Sequence, residues 1–306
     1  MIFTHDACLR HDPGPGHPES PQRLVAVLQA LADSQFDGVP VVQAPQATRA
    51  ELERAHDAAL VAAIFANAPD EGLVRIDADT TMSPGSLEAA LRAAGAVRAA
   101  VDAVITGPSR RAFCAVRPPG HHATHGTPMG FCLFNNVAVG ALHAIAAHGL
   151  ERVAIVDFDV HHGNGTQDIF WRDSRVLYES THQFPLYPGT GRPEERGVGN
   201  IVNAILPPGS GGATFRAACE RTILPALDAF APQLVIASAG FDAHRLDPLA
   251  GLDLVADDYA WITRELVAIA DKHANGRMVS ALEGGYSLEA LRESVTAHCR
   301  ELFGLS

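Results

Sequence analysis

Residues 153–165 read VAIVDFDVHHGNG, an apolar β-branched run that passes directly into carboxylates, imidazoles and glycines. In an extended strand, residues two positions apart lie on the same face, so Asp157, Asp159 and His161 share one side. Two carboxylates and an imidazole this close together are costly at the end of an apolar strand unless a cation neutralises them. The segment therefore predicts a buried strand that ends in a metal site. A capped, solvated loop is the alternative.

Similar apolar runs recur along the chain and alternate with helical patterns. We predict strands over residues 112–117, 152–158, 175–179, 234–239 and 278–282. Helices are predicted to begin at Ser20-Pro21 and at Ser83-Pro84, and a third covers residues 136–148 and stops at Gly149. Nearly continuous apolar strands are typical of parallel sheets with helices on both faces, so the pattern indicates an α/β fold with one open, mostly parallel sheet. In such sheets, ligands bind beyond the carboxyl ends of the strands.

Asp242 follows the predicted strand 234–239 within Gly240-Phe241-Asp242. Taken alone, an aspartate after a strand is more often a helix cap. Together with Asp159 and His161 it completes an Asp/His/Asp set that leaves coordination positions open for water and substrate. Oxygen-rich ligation with one imidazole suits Zn²⁺, and Fe²⁺, Co²⁺ or manganese are alternatives.

Tandem histidines, His121 and His122, follow a Pro-Pro-Gly turn after the predicted strand 112–117. In isolation they would be read as surface residues. Because the metal already has its ligands, proton transfer is the better role, since amide hydrolysis needs a base and an acid. Asp157 and Asn164 are the predicted partners that fix the tautomer and charge of the two rings.

Tyr286 ends the segment Glu283-Gly284-Gly285-Tyr286, which follows the predicted strand 278–282. The glycines allow the ring to approach the metal, where the hydroxyl could donate a hydrogen bond to the oxyanion of a tetrahedral intermediate. An ordinary loop aromatic is the default reading of Gly-Gly-Tyr alone.

The composition narrows the class of protein. With 306 residues and 47% hydrophobic content, the chain can bury a substantial core. No apolar stretch approaches the roughly 20 residues of a membrane helix, and the N-terminus lacks a secretory signal pattern. The five cysteines form no CxxC pair, which predicts a reducing cytoplasm and neither disulfides nor a thiolate zinc site. The formal charge of −12 argues against nucleic-acid binding and would either steer cationic substrates or keep the protein soluble. We expect a cytoplasmic protein without nucleic-acid or membrane partners.

These motifs resemble the zinc-dependent histone deacetylase family, in the class II-like branch with the bacterial amidohydrolases and acetylpolyamine amidohydrolases. The matching segments occur in order over nearly the whole chain, which indicates a single catalytic domain over residues 1–306. They are HPESPQRL at 17–24, SPGS at 83–86, RPPGHH at 117–122, GFCLFNN at 130–136, residues 157–167, PGTG at 188–191, GFD at 240–242 and EGGY at 283–286.

The resemblance implies an arginase/deacetylase fold around an open eight-stranded parallel sheet. It also implies zinc on Asp159, His161 and Asp242, catalytic His121 and His122, and Tyr286 as the group that polarises the carbonyl. The residues expected to line a narrow acyl-amine channel are Gly130, Phe131 and Tyr187, of which Tyr187 stands where we would expect phenylalanine. The ligands expected for a structural potassium ion are Asp157, Asp159, His161, Ser180 and Thr181. A second monovalent cation would fall around Phe170, Asp173 and Val176.

Three positions refine the resemblance. Asn164 replaces the aspartate of the class I pattern, which should lower the pKa of its histidine relative to an aspartate partner. Asp79 matches a rim aspartate that grips the substrate backbone, although a residue that caps the next helix is equally compatible. Leu249 stands where polyamine-selective relatives carry an acidic residue, which weakens the polyamine hypothesis.

The main hypothesis is hydrolysis of an N-acetyl amide, in acetyl-lysine or a small acetylated amine, by zinc-activated water. An acetylpolyamine-selective enzyme is one alternative. A second is an arginase-like ureohydrolase with two manganese ions, for which Asp242, His244 and Asp247 hint at further ligands. A third is an acyl-amine-binding protein without turnover. A homo-oligomer is compatible with each of these readings.

Overall fold

The computed structural model describes residues 1–305. The strands are β1 Ile2–Thr4, β2 Val41–Gln43, β3 Val74–Arg75, β4 Thr81–Met82, β5 Arg111–Cys114, β6 Val153–Asp157, β7 Val176–Gln183, β8 Ile201–Leu206, β9 Leu234–Ala239 and β10 Met278–Leu282. The α-helices are α1 Pro21–Leu31, α2 Arg49–Leu52, α3 Ala58–Ala66, α4 Ser86–Thr106, α5 Asn136–His148, α6 Asn164–Phe170, α7 Gly212–Ala218, α8 Leu224–Phe230, α9 Ala256–His273 and α10 Leu288–Phe303. Two 3₁₀ turns, Asp6–Leu9 and Ser34–Phe36, and a π-helical segment, Cys219–Ile223, complete the elements.

Eight strands form one parallel sheet in the order β2-β1-β5-β10-β9-β6-β7-β8, which confirms the predicted fold class. Every residue of β6, β9 and β10 is buried. Since successive side chains point to opposite faces, both faces of the central sheet are covered. β3 and β4 form a separate antiparallel hairpin.

The predicted boundaries hold best where one periodic pattern runs uninterrupted. Helix α5 and strands β9 and β10 have the predicted limits. The helix predicted at Ser83-Pro84 begins at Ser86, because Ser86 Oγ bonds to both the backbone and the hydroxyl of Ser83. The strand predicted to reach residue 117 ends at Cys114, and Arg117 is instead held by a buried ion pair with Glu19.

Two further features of the structure concern the cysteines and the apolar character of the helices. All five cysteines are free and buried. Within residues 1–305, no helix combines the length and the apolar character that crossing a bilayer requires.

Candidate metal centre and active site

The site lies at the carboxyl edge of the three adjacent central strands. Asp157, the last residue of β6, pairs with Ser238 of β9, and Ala239 of β9 pairs with Leu282 of β10. The parallel register therefore brings the loops that follow β6, β9 and β10 together at one edge, as the strand-end rule predicts.

Asp159, His161 and Asp242 meet in this edge, as the sequence predicts. One ligand atom from each lies within 4.8 Å of the others. His161 Nδ1 is 3.1 Å from Asp159 Oδ1 and 3.2 Å from Asp242 Oδ2. Both carboxylates are fully buried, so bulk water does not screen their charges.

The electrostatics of this group fit a bound cation. Burial and the charge of Asp159 raise the pKa of Asp242 to about 7. Burial also raises the pKa of Asp159, but the imidazoles of His121 and His161 outweigh burial and hold the pKa below its usual range. Burial lowers the pKa of His161, yet its bonds to both carboxylates raise it to about 10. The protein alone thus needs an imidazolium between the carboxylates, and a divalent cation would supply that charge and leave the ring nitrogen free to ligate.

Backbone groups and glycines shape the cradle around the carboxylates. Gly284 N donates to Asp159 Oδ2 at 2.8 Å, and Val160 N donates to Asp242 Oδ1 at 2.8 Å. A Cβ atom at Gly240 would collide with Asp159, and one at Gly284 with both carboxylates. Glycine is therefore required at position 284 because the backbone lies against the two carboxylates there. The sequence analysis gave a different reason, namely that the glycines let the ring of Tyr286 approach the metal.

The two tandem histidines have the partners that the sequence predicts. His121 Nδ1 donates to Asp157 Oδ2 at 3.0 Å, and His122 Nδ1 donates to Asn164 Oδ1 at 2.8 Å. Their ring centroids are 4.0 Å apart. Burial lowers the pKa of His121, but Asp159 and Asp157 raise it to about 10. Burial and the neighbouring imidazoles of His121 and His161 lower the pKa of His122 well below its usual range, although the hydrogen bond to Asn164 acts in the opposite direction.

Glu283 is a site residue whose role the sequence reasoning missed. Its Oε2 accepts hydrogen bonds from Gly120 N at 2.6 Å and His121 N at 3.1 Å, which fixes the turn before the histidine pair. Burial raises its pKa to about 7. The sequence feature that could have identified Glu283 is its position directly after β10, because the other carboxylates of the site also lie at or just after the ends of strands.

Aromatic side chains surround the approach to the metal ligands. The ring of Phe131 lies 5.9 Å from that of Tyr286, in an edge-on arrangement. The ring of Tyr187 lies 5.1 Å from that of His122 and 6.3 Å from that of His161. Phe131 and Tyr187 therefore lie beside residues of the site, with Tyr187 39% exposed, and the acyl-amine channel stays a prediction.

Gly130 and Asp79 belong to the same rim. A Cβ at Gly130 would collide with the ring of His122. Gly130 N donates to Asp79 Oδ1 at 3.2 Å, and Thr80 Oγ1 donates to the same oxygen at 3.1 Å. Asp79 lies in the β3–β4 turn, and Gly85 is the N-cap of α4, so the capping alternative for Asp79 is wrong.

Tyr286 is held from two sides by Arg23 and Asp247, a role that the sequence analysis gave to neither residue. The guanidinium of Arg23 lies 4.8 Å from the centre of the ring. Asp247 Oδ2 accepts from Tyr286 N at 2.7 Å, while Asp247 Oδ1 accepts from Leu249 N at 3.0 Å and fixes the half-buried Leu249. Burial raises the pKa of Tyr286, which keeps its hydroxyl protonated and able to donate.

Within residues 1–305, the dinuclear alternative has no second group of metal ligands next to Asp242. His244 Nδ1 accepts from Leu246 N at 3.2 Å, and both oxygens of Asp247 accept from backbone amides. In the described part of the chain, Asp242 forms a metal-ligand group only with Asp159 and His161.

A second group of potential ligands, Asp102, His143 and His148, lies on α4 and α5, away from the sheet edge. Both histidines approach Asp102 Oδ1 at 2.7 Å. Arg98 occupies Asp102 Oδ2 at 2.7 Å, and Arg54 Nη1 lies 3.4 Å from His143 Nδ1. With two guanidinium groups beside it, this cluster is an ion-pair hub between the helices.

The residues expected to bind monovalent cations have two different environments. Ser180, which precedes Thr181 on β7, pairs in register with Asp157 of β6. These expected potassium ligands are therefore neighbours, and the potassium ion itself stays a prediction. The carbonyls of the second expected site, on Phe170, Asp173 and Val176, accept instead from the side-chain amide of Asn200.

Comparisons with known proteins agree with this geometry. The family model of the histone deacetylase domain matches residues 17–302. A probable deacetylase of Archaeoglobus fulgidus is 40% identical over 94% of this chain and 81% of its own length. A histone deacetylase-like amidohydrolase of Pseudomonas aeruginosa is 39% identical over 94% of this chain and 81% of its own. The crystal structure of the HDA15 HD domain matches with a TM-score of 0.93 and 37% identity, over 100% of this chain and 88% of that domain. The chain therefore belongs to the histone deacetylase family.

Proposed function

We propose that this protein is a zinc-dependent amidohydrolase that removes the acetyl group from acetyl-lysine or from a small acetylated amine. The observation that carries the proposal is the group Asp159, His161 and Asp242 with a histidine pair beside it. His121 Nε2 lies 3.9 Å from Asp159 Oδ2, and the rings of His122 and His161 are 6.0 Å apart. Tyr286 belongs to the loop after β10, at the same edge of the sheet. Zinc held by these three residues would supply Lewis acidity, which polarises an amide carbonyl and acidifies water. Fe²⁺ or Co²⁺ would serve the same donor set.

His122 is the better proton acceptor of the pair. Its Nδ1 carries a proton, because the Asn164 oxygen that it faces only accepts hydrogen bonds. Its Nε2 therefore keeps a lone pair, and its lowered pKa keeps the ring neutral. His121 Nδ1 is held by the carboxylate of Asp157, which favours the protonated ring, so His121 can give a proton to the leaving amine.

Tyr286 supplies the remaining donor. A tyrosine hydroxyl that stays protonated can donate to the oxygen that becomes negative as the carbonyl carbon turns tetrahedral. The rings of Phe131 and Tyr187 would hold the alkyl chain of the amine, while Asp79 at the rim would accept from a substrate amide. Leu249 offers no charge for a polyamine, which favours acetyl-lysine or a small acetylated amine over acetylpolyamines.

The test is a substrate panel assayed with zinc-loaded wild type and Tyr286→Phe. The panel contains acetyl-lysine peptides, acetylpolyamines and trifluoroacetyl-lysine, and acetate or trifluoroacetate release is measured beside bound zinc. We expect the variant to keep its zinc and to lose about 100- to 1,000-fold in kcat, the usual effect of removing one oxyanion donor.

Tyr259→Phe is the matched control. The Tyr259 hydroxyl is buried without a hydrogen-bond partner, so its removal should leave both zinc content and kcat unchanged. Unchanged kcat in Tyr286→Phe would refute the role of Tyr286. Wild type that releases no acyl product from the panel would point to a binding protein, and two manganese ions per chain with urea release would point to a ureohydrolase.

A further inference from the structure

Asn200 fills a cradle of backbone carbonyls between α6 and β7. Its Nδ2 is 2.9 Å from Phe170 O, 3.1 Å from Asp173 O and 2.8 Å from Val176 O. The side chain reaches them from the position just before β8 and is only 4% exposed. One buried amide nitrogen thus serves three carbonyl oxygens from a single loop.

The orientation of the Asn200 amide is fixed by its other contacts. Its Oδ1 accepts from Val198 N at 3.1 Å, and its backbone oxygen accepts from Tyr178 N at 2.9 Å. A flipped amide would set Oδ1 against three carbonyls and Nδ2 against an N–H group, leaving each without a partner. Gly197 has φ 54°, and a Cβ there would press on Asn200 Oδ1, so the turn is shaped around this side chain.

Converging backbone carbonyls without a carboxylate are the surroundings in which proteins bind K⁺ or Na⁺, because the oxygens replace the hydration shell of the ion. Here the two N–H bonds of an uncharged amide point into that focus instead. We propose that Asn200 is a covalent substitute for a monovalent cation, so that the 170–176 loop is ordered without an ion of its own. This inference concerns the scaffold and does not depend on the proposed deacetylation.

Asn200→Asp should convert the cradle into a cation site. The substitution keeps the shape of the side chain but replaces the donor by a carboxylate, which would face three carbonyl oxygens in a buried place. Such a charge is strongly unfavourable unless a cation lies among the oxygens. Asn67→Asp is the matched control, because Asn67 Nδ2 donates to a single carbonyl, Ala63 O, at an exposed helix end.

The first measurement is anomalous diffraction from crystals grown in RbCl. We expect no rubidium peak within coordination distance of the carbonyls of Phe170, Asp173 and Val176 in wild type, and a peak there in Asn200→Asp. A peak at those carbonyls in the wild-type crystal would overturn the proposal, whatever the variant does.

The second measurement is the melting temperature (Tm) in KCl and in choline chloride at equal ionic strength. In choline chloride, Asn200→Asp should melt roughly 5–15 °C below wild type, and KCl should recover most of that loss. Wild type and Asn67→Asp should share one and the same K⁺ response. If Asn200→Asp does not fold, Asn200→Ser takes its place, since it also vacates the carbonyls. A K⁺ response of the folded variant equal to that of wild type would contradict the proposal.

Discussion

His298 is a single buried residue that ties stability to pH. Its Nδ1 lies 2.6 Å from Thr263 Oγ1 and its Nε2 lies 2.8 Å from Ser280 Oγ, so both ring nitrogens have neutral partners. Burial lowers its pKa from 6.5 to about 3. Between those values the unfolded chain binds a proton that the folded protein does not. Stability must therefore fall as the pH falls below about 6.5, by roughly 1.4 kcal/mol per pH unit from this residue.

His298→Gln should remove this contribution. Glutamine can still bond to a hydroxyl but does not titrate, so the variant should lose stability overall yet show a shallower dependence on pH. Urea unfolding between pH 7 and 5 measures both quantities, and a slope identical to that of wild type would mean that His298 is not the titrating group.

Single residues were predictable where their partners lie near in sequence or at a strand end. Asp157 is the last residue of β6, and His121, His122 and Asn164 lie in the segments after β5 and β6. The rule that ligands bind at the carboxyl ends of parallel strands therefore placed them together. Arg23 could not be placed, because its contact with the carbonyl of Gly285 joins residues 262 positions apart. Such long-range contacts leave no periodic pattern in the sequence.

At the level of elements, the metal site depends more on the residues that follow β9 and β10 than on the residues inside these strands. Glycine follows both strands at the point where the carboxylate cradle approaches the backbone. We expect Gly284→Ala to fold but to bind zinc about 10- to 100-fold more weakly, the usual effect of disturbing the groups that hold metal ligands. The added methyl group would press on Asp159 and Asp242.

A chelator competition assay measures this change in zinc affinity. Gly38→Ala is the control, because a Cβ at Gly38 meets nothing within 4 Å. Equal zinc affinity in Gly284→Ala and Gly38→Ala would show that the metal site tolerates the methyl group, and that its contact with Asp159 and Asp242 does not control zinc binding.

The strands that the sequence analysis missed were missed because their sequence patterns are too short or too mixed to recognise. β1 and β2 contain three residues each, too few for a pattern to stand out. β8 lies at the sheet edge with a mixed burial pattern, unlike the continuous apolar runs of the central strands. The order of strands in the sheet was likewise beyond local reasoning, since β10 pairs with β5 across more than half of the chain.

At the scale of the whole molecule, the net charge of −12 sets a field around the site. Asp77 and Asp79 lie in the β3–β4 turn, and Asp79 bonds to Gly130 at the rim of the channel. Opposite charges attract over roughly 10 Å at 0.1 M salt and less as salt increases. A cationic substrate should therefore be drawn to the protein, and a neutral one should not.

This gives a measurable difference between substrate classes. For an acetyl-lysine peptide flanked by arginines, kcat/KM should fall about 3- to 10-fold between 20 and 300 mM salt, because steering weakens as the field is screened. For the same acetyl-lysine flanked by alanines, the change should stay within about twofold, since no charge senses the field. Steady-state kinetics with both peptides at fixed pH provides the comparison. Equal salt responses would show that the acidic surface does not steer this substrate and would leave its capture to the proposed channel residues, Phe131 and Tyr187.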